Sequence, residues 1–240
     1  MSEGKDREQI LFCDFDGTIS LDDVNELLFE VFGDSRTRRL EEKFRAGELD
    51  DRRVLVEKFS HLDLTEKELK EFVREEVRLD PSFKQFLQLA EGLFREIVIV
   101  SGGFREYIEA LFDREEIDFK GSIYANRLDF GGEGPSPRFL HQVDPNDCHQ
   151  PFGVCGCCKW LIFQRRRTEG TRTVYIGDGL TDRCLAEEVD LLFAKEGELL
   201  AKYCDERGIP YRPFSDFREL VEFFSRHDLD SDLPDSIPTA

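Results

Sequence analysis

The sequence lacks any hydrophobic run close to the roughly 20 residues that a membrane-spanning helix needs. Its first residues, MSEGKDREQ, are polar and contain no apolar signal-peptide core. Positive charge is also scarce, with 33 Lys and Arg against 52 Asp and Glu and a net charge of −19. These absences argue against a membrane and against nucleic acid as partners, because both need a basic face. We therefore expect a cytoplasmic protein.

A disulfide framework is also not expected. The chain has 7 cysteines, an odd number, and four of them crowd into residues 148–158 instead of being spread in pairs. They are interpreted as reduced thiols. A Zn²⁺ site, a redox role and simple packing of the loop all stay open for this cluster, which consists of Cys148, His149, Cys155, Cys157 and Cys158.

Four short apolar runs predict the strands of a parallel sheet. They are continuous rather than alternating, as expected for strands covered on both faces. Helical patterns separate them, which predicts a doubly wound, Rossmann-like α/β core. The predicted strands are 10–13, 97–100, 173–176 and 191–194, and the predicted helices are 82–94, 104–112, 158–167 and 182–189.

The long stretch between the first two strands predicts an inserted helical domain. It carries four amphipathic patterns and no strand signal, and 240 residues suffice for one core with such an insertion. We predict a catalytic core over 1–19 and 81–227, a helical cap over 20–80, a β-hairpin or flap within 122–143, and an acidic, disordered tail over 228–240.

Polar residues follow three of the predicted strands directly. Because ligands bind outside the carboxyl ends of the strands in such sheets, these residues are expected to meet at one place. They are Asp14, Asp16, Gly17 and Thr18 after the first run, Ser101, Gly102 and Gly103 after the second, and Asp178 and Asp182 after the third.

The chemistry of these residues indicates a magnesium ion and a phosphate group. Carboxylates gathered in one place repel each other and require a cation, and hard oxygen ligands suit Mg²⁺ held together with a phosphate. The SGG sequence at 101–103 opens a predicted helix and can cradle an anion. Lys159, at the start of another predicted helix, is the candidate for the fixed positive charge.

The ordered set of motifs resembles the haloacid dehalogenase superfamily of phosphatases. The motifs are DFDGT at 14–18, SGG at 101–103, Lys159 and GDGLTD at 177–182. The helical insert and ANRL at 125–128 are similar to the phosphoserine phosphatase-like branch. CGCCK at 155–159 with Cys148 upstream resembles the 2-hydroxy-3-keto-5-methylthiopentenyl-1-phosphate phosphatases of methionine salvage.

The resemblance implies a role for each matching residue. Asp14 is the nucleophile that forms an aspartyl-phosphate, and Asp16 is the general acid and then the general base. The metal ligands are Asp14, the backbone carbonyl of Asp16, and Asp178. Ser101, the Gly102 amide and Lys159 hold the phosphoryl oxygens, and Asp182 supports the metal site or orients Lys159. Asp23, Arg52 and Arg53 of the cap are candidates for contacts with the rest of the substrate.

The predicted function is therefore Mg²⁺-dependent hydrolysis of a small phosphomonoester, with the enol phosphate of methionine salvage as first substrate and phosphoserine as alternative. Two other classes stay open: a phosphotransferase, and a non-catalytic module that uses the thiols for metal or redox sensing. The expected partner is a small phosphorylated metabolite, and the chain is expected to be a monomer or homodimer.

Overall fold

The strands form one seven-stranded sheet in the order β4-β3-β2-β1-β5-β6-β7, in a computed structural model that describes residues 9–46, 48–132, 134–144, 148 and 155–226. Neighbouring strands are parallel except for β4, which is antiparallel to β3. The predicted α/β class is confirmed. The strands are β1 (Gln9–Cys13), β2 (Glu96–Phe104), β3 (Ser122–Asp129), β4 (Ser136–Arg138), β5 (Arg172–Gly177), β6 (Leu191–Lys195) and β7 (Arg212–Phe214).

Four helices fill the stretch between β1 and β2, as the amphipathic patterns predict. Each begins after a residue whose side-chain oxygen accepts a hydrogen bond from an N–H of the first turn, namely Asp23, Asp34, Asp50 and Thr65. The helices are α1 (Val24–Val31), α2 (Ser35–Arg45), α3 (Asp51–Phe59) and α4 (Glu66–Glu76). Their apolar side chains belong to the same buried cluster as residues of the sheet, and the domain limits at 20 and 80 stay a prediction.

The remaining helices follow the predictions up to β5 and depart from them afterwards. They are α5 (Phe83–Leu93), α6 (Arg105–Arg114), α7 (Lys159–Arg166), α8 (Leu199–Arg207) and α9 (Phe217–Arg226). The predicted helices 82–94, 104–112 and 158–167 correspond to α5, α6 and α7. The elements α8, β7 and α9 were not predicted.

The predicted helix over 182–189 is wrong. A 3₁₀ helix spans Leu180–Leu185 instead, and turns follow it. The Asp182 carboxylate accepts hydrogen bonds from the backbone N–H groups of Asp178 and Gly179, at 3.0 and 2.9 Å. These bonds wind the chain tightly directly after β5, so an α-helix does not start here.

The sheet is buried on both faces. In β1, Leu11 and Cys13 contribute to one apolar cluster and Ile10 and Phe12 to another. The first cluster includes side chains from the insert and from α5, α6 and α9, and the second includes side chains from α7 and α8. Helices on both faces are what the continuous apolar runs predict.

Two further predictions concern the ends of the sheet and of the chain. The β-like segments predicted within 122–143 are confirmed as β3 and β4, which pair as an antiparallel hairpin at the sheet edge. The tail predicted over 228–240 lies outside the described residues. Within the described part of the chain, no helix is long and apolar enough to cross a membrane.

Candidate active site

The loop after β1 brings two carboxylates to the carboxyl edge of the sheet. The Asp14 N–H still donates to the Ile176 carbonyl of β5 at 2.9 Å, which fixes Asp14 at the sheet edge. Gly17 then adopts φ +74°, and a Cβ atom there would lie 2.4 Å from Asp178 Oδ2. Glycine is therefore required at this turn, both for the backbone conformation and for the close approach of Asp178.

A buried lysine links Asp14 to Asp182. Lys159 is the first residue of α7 and is 1% exposed. Its Nζ lies 2.7 Å from Asp14 Oδ2 and also contacts Asp182 Oδ1. Burial by itself lowers the pKa of Lys159, but the carboxylates of Asp14 and Asp182 outweigh it, and the pKa is raised. The ammonium ion therefore stays charged and holds both carboxylates.

Three carboxylates form a group that could hold a cation. Oxygen atoms of Asp14, Asp178 and Asp182 all lie within 4.8 Å of one another. Thr18 Oγ1 donates to Asp178 Oδ1 at 2.6 Å and orients that side chain. Burial, followed by the Asp182 carboxylate, raises the pKa of Asp178 to about 7. Three desolvated carboxylates against one lysine leave a deficit of positive charge, which fits the oxygen-liganded Mg²⁺ that the sequence predicts.

Asp16 is turned away from this group and is held by neutral donors. Its Oδ1 accepts from the Val24 N–H at 3.1 Å, and its Oδ2 accepts from Ser101 Oγ at 3.0 Å and from the Tyr107 phenol at 2.9 Å. Burial raises the pKa of Asp16, and the three hydrogen bonds offset only part of that effect. This environment favours a carboxyl group that can carry a proton.

The SGG segment lies beside Asp16. Ser101 is fully buried, and its Oγ accepts from the Gly103 N–H at 2.9 Å while donating to Asp16. A Cβ atom on Gly102 would meet no atom within 4 Å, so the space at Gly102 is open. Its carbonyl accepts from Asn126 Nδ2 at 2.8 Å, which ties the segment to β3. The predicted phosphate-binding residues therefore lie on two sides of the same loop, Ser101 near Asp16 and Lys159 near Asp14.

The cap candidates differ in their distance from the site. Asp23 is the N-cap of α1, and desolvation together with the neighbouring Asp16 carboxyl raises its pKa to about 7. Arg53 is exposed and forms an ion pair with Glu57 of its own helix at 3.1 Å. Arg52 is half-buried on the same helix. Of the three, Asp23 is the one whose electrostatic contacts link it to the aspartates, and the substrate-contact role stays a prediction.

The cysteine cluster does not form a metal-binding group within the described residues. There, the side chains close enough to share an ion are the three aspartates named above. Cys157 packs in the apolar cluster of the α7 side, and burial raises its pKa. Cys158 directly precedes Lys159, and its N–H donates to the His141 carbonyl at 2.8 Å. The cysteines thus adjoin the lysine, and His149 lies outside the described residues.

Three residues of the site were not predicted. Tyr107 donates to Asp16 as described, and Tyr175 donates from its phenol to Asp182 Oδ1 at 2.5 Å. Lys195 Nζ donates to the Gly17 carbonyl at 2.6 Å. Lys195 directly follows the predicted strand 191–194, so the strand-end rule applied to the other three runs would have identified it. The two tyrosines lie within a strand and a helix and carry no such signal.

The family of the chain follows from its motifs and fold. A family model described as haloacid dehalogenase-like hydrolase matches residues 11–187. The chain therefore belongs to the haloacid dehalogenase-like hydrolases, and the predicted family and enzyme class are confirmed.

The most similar relatives include named phosphatases. The chain is 28% identical over 221 residues to a 2-hydroxy-3-keto-5-methylthiopentenyl-1-phosphate phosphatase of Geobacillus kaustophilus, covering 92% of this chain and 97% of the relative. It is also 28% identical over 221 residues to the polyol phosphate phosphatase PYP1 of Saccharomyces cerevisiae, covering 88% and 90%.

Solved structures of phosphoserine phosphatases have the same fold. The structure of the enzyme from T. onnurineus aligns with a TM-score of 0.67 at 19% identity, over 95% of this chain and 100% of that chain. A phospho-aspartyl intermediate analogue of phosphoserine phosphatase aligns with a TM-score of 0.62 at 18% identity, over 90% and 98%. At these identities the likeness establishes the fold.

Proposed function

We propose that this chain is a Mg²⁺-dependent phosphatase that hydrolyses a small phosphomonoester through a phosphorylated Asp14. The observation that carries the proposal is the contrast within one loop. Asp14 is paired with a buried lysine, whereas Asp16, two positions later, is held by neutral donors. A phosphatase with a covalent intermediate needs one carboxylate that attacks and one carboxyl group that transfers a proton.

Asp14 is suited to be the nucleophile. Its Oδ1 accepts from the Phe15 N–H at 2.7 Å and its Oδ2 is paired with Lys159, so both oxygens are oriented. In the first step a carboxylate oxygen of Asp14 attacks phosphorus, and the bond between phosphorus and the leaving oxygen breaks. Lys159 stabilises the charge on the phosphoryl oxygens in the same place.

Asp16 is suited to transfer the proton in both steps. The protonated carboxyl group of Asp16 gives its proton to the leaving oxygen, so the product leaves as a neutral alcohol or enol. A water molecule then attacks phosphorus, and the Asp16 carboxylate takes a proton from it. The bond between phosphorus and Asp14 breaks, inorganic phosphate leaves, and Asp16 is protonated again.

Asp14, Asp178 and the Asp16 carbonyl would hold the magnesium ion, with Asp182 behind them. A bound Mg²⁺ would neutralise charge on the phosphoryl oxygens and orient them. The clustering of the three carboxylates supports this ligand assignment. Asp182 contacts Lys159 and accepts two backbone N–H groups, which supports a role in orienting the lysine.

The substrate proposed first is the enol phosphate of methionine salvage. The CGCCK sequence that ends at Lys159 and several bacterial relatives of that name support it. Phosphoserine is the alternative, since the resemblance of the insert and of ANRL at 125–128 favours that branch.

A phosphate-release assay over a panel of esters, with Mg²⁺ and with a chelator, tests the proposal. The panel should contain the enol phosphate, phosphoserine, polyol phosphates and an aryl phosphate. We expect Mg²⁺-dependent release, fastest with the enol phosphate, and a wild-type protein that carries a phosphoryl group on Asp14 after rapid acid quench. Turnover by Asp14→Asn would contradict the nucleophile, and a clear preference for phosphoserine would overturn the first substrate.

A further inference from the structure

Tyr107 contacts Asp16 from a rigid position. It lies in α6, is fully buried, and its phenol oxygen is 2.9 Å from Asp16 Oδ2. Its ring packs against the rings of Phe15 and Phe104, with centroids 6.1 Å away in each case. A phenol held between two aromatic rings can keep a hydrogen-bond partner in one orientation at little entropic cost.

Gly103 provides the space for this contact. A Cβ atom on Gly103 would lie 1.4 Å from the Tyr107 phenol oxygen and 2.5 Å from Asp16 Oδ2. The same atom on Gly102 would meet nothing within 4 Å. The two glycines of the SGG segment therefore differ: Gly102 borders open space, whereas Gly103 is needed so that a tyrosine and an aspartate can meet above it.

Ser101 cannot hold Asp16 and a phosphoryl oxygen at the same time. A serine hydroxyl has one proton to donate, and here it is directed to Asp16 Oδ2 at 3.0 Å. If Ser101 binds the phosphoryl group, it must withdraw that proton from Asp16. The donors left on the Asp16 carboxyl are then the Val24 N–H and the Tyr107 phenol.

We propose that Tyr107 is a positioning residue for Asp16: its phenol holds the carboxyl group in the orientation that protonates the leaving oxygen, and so frees Ser101 to bind the phosphoryl group. This inference rests on the proposed function, in which Asp16 is the general acid. Tyr107 acts through Asp16 and needs no contact with the substrate.

The test compares two leaving groups in Tyr107→Phe. Protonation matters for a poor leaving group such as the alkoxide of glycerol 2-phosphate and matters little for p-nitrophenolate. General acid catalysis contributes roughly 10²–10⁴-fold, and losing part of it should lower kcat for glycerol 2-phosphate by about 10-fold. With p-nitrophenyl phosphate we expect a change of less than about 2-fold, because that step barely uses the acid. KM and the inhibition constant of vanadate should stay unchanged.

Two further variants complete the test. Tyr211→Phe removes a phenol that donates to the exposed Asp205 at 3.0 Å and should leave both rates unchanged. Ser101→Ala should weaken vanadate binding and lower the rates for both esters by the same factor, because Tyr107 still holds Asp16.

The proposal is overturned if Tyr107→Phe lowers the two rates equally or lowers neither, or if Ser101→Ala selectively impairs the alkyl ester. A Tyr107→Phe protein that does not fold leaves the Ser101→Ala comparison to decide. Failure of the proposed function is recognised separately, since Asp14→Asn would then retain turnover of both esters.

Discussion

Asp14 and Asp16 lie on the same turn but in opposite kinds of environment. Asp14 faces a buried ammonium group and two further carboxylates. Asp16 faces a phenol, a hydroxyl and a backbone N–H, none of which carries a charge. The surroundings, rather than the residue type, assign one carboxyl group to attack and the other to proton transfer.

The comparison also shows how two nearby anions are tolerated. If both carboxyl groups were ionised and unpaired, their repulsion and desolvation would be costly. The fold places the positive charge of Lys159 on one side and neutral donors on the other, so one group is favoured as an anion and the other can be neutral. Variants that remove one side should therefore leave the other side intact.

The largest effect is expected from Lys159→Met, which removes the charge on the Asp14 side. Breaking a buried ion pair leaves uncompensated charge, so the free energy of unfolding should fall by about 3–5 kcal/mol. Phosphate release should fall at least about 100-fold, because a charge-stabilising donor of this kind contributes that much. Urea denaturation and steady-state kinetics measure the two quantities.

A matched variant controls for the loss of a lysine as such. Lys70→Met removes an ammonium group from an exposed pair with Glu66 at 2.6 Å. Exposed pairs are worth about 0–1 kcal/mol, so stability and activity should change little. Equal losses of stability in the two variants would contradict the central position of Lys159.

The next largest effect is expected from Asp16→Asn, which changes the neutral side. The amide fits the same space but cannot give up a proton, so kcat for an alkyl phosphate should fall by roughly 10²–10⁴-fold. The burst of phosphorylated Asp14 formed from p-nitrophenyl phosphate should persist, because its leaving group needs no proton. Rapid-quench kinetics with both esters measures this, and loss of the burst would contradict the division of roles between the two aspartates.

Much of this site could be predicted because strand ends are readable in a sequence. Continuous apolar runs located β1, β2 and β5, and the rule that parallel strands present ligand-binding residues at their carboxyl ends brought Asp14, Ser101 and Asp178 together. The same rule extends to β6 and Lys195. It depends on the order of residues along the chain alone.

The contacts of the tyrosines could not be read in the same way. Whether Tyr107 reaches Asp16 depends on the rotation of α6 about its axis and on the space left by Gly103. Tyr175 is one of several apolar-looking residues of β5, and its phenol reaches Asp182 because a 3₁₀ helix replaces the predicted α-helix. Such contacts depend on three-dimensional packing that no periodicity records.

A smaller effect is expected from Tyr175→Phe, which sharpens the comparison on the ionic side. The phenol donates to Asp182 Oδ1, the oxygen that also contacts Lys159. A hydrogen bond to a charged group contributes about 1.5–3 kcal/mol, and the melting temperature should fall accordingly, by about 2–4 °C for each kcal/mol. The ratio of the rates for alkyl and aryl esters should be unchanged, because Asp16 is untouched. A change in that ratio would show that the two sides are coupled.

The smallest effect is expected from Lys195→Met, which acts on the turn shared by both carboxyl groups. Lys195 donates to the carbonyl of Gly17, directly after Asp16, from the end of β6. Losing one such bond should cost about 1.5–3 kcal/mol if none of it is recovered from water, and less at this partly open site. Because the turn carries both Asp14 and Asp16, kcat should fall by the same few-fold factor, about 3-fold, for alkyl and aryl esters alike. A loss confined to alkyl esters would show that Lys195 serves the Asp16 side alone, and the turn would then not be the element that holds the two carboxyl groups in register.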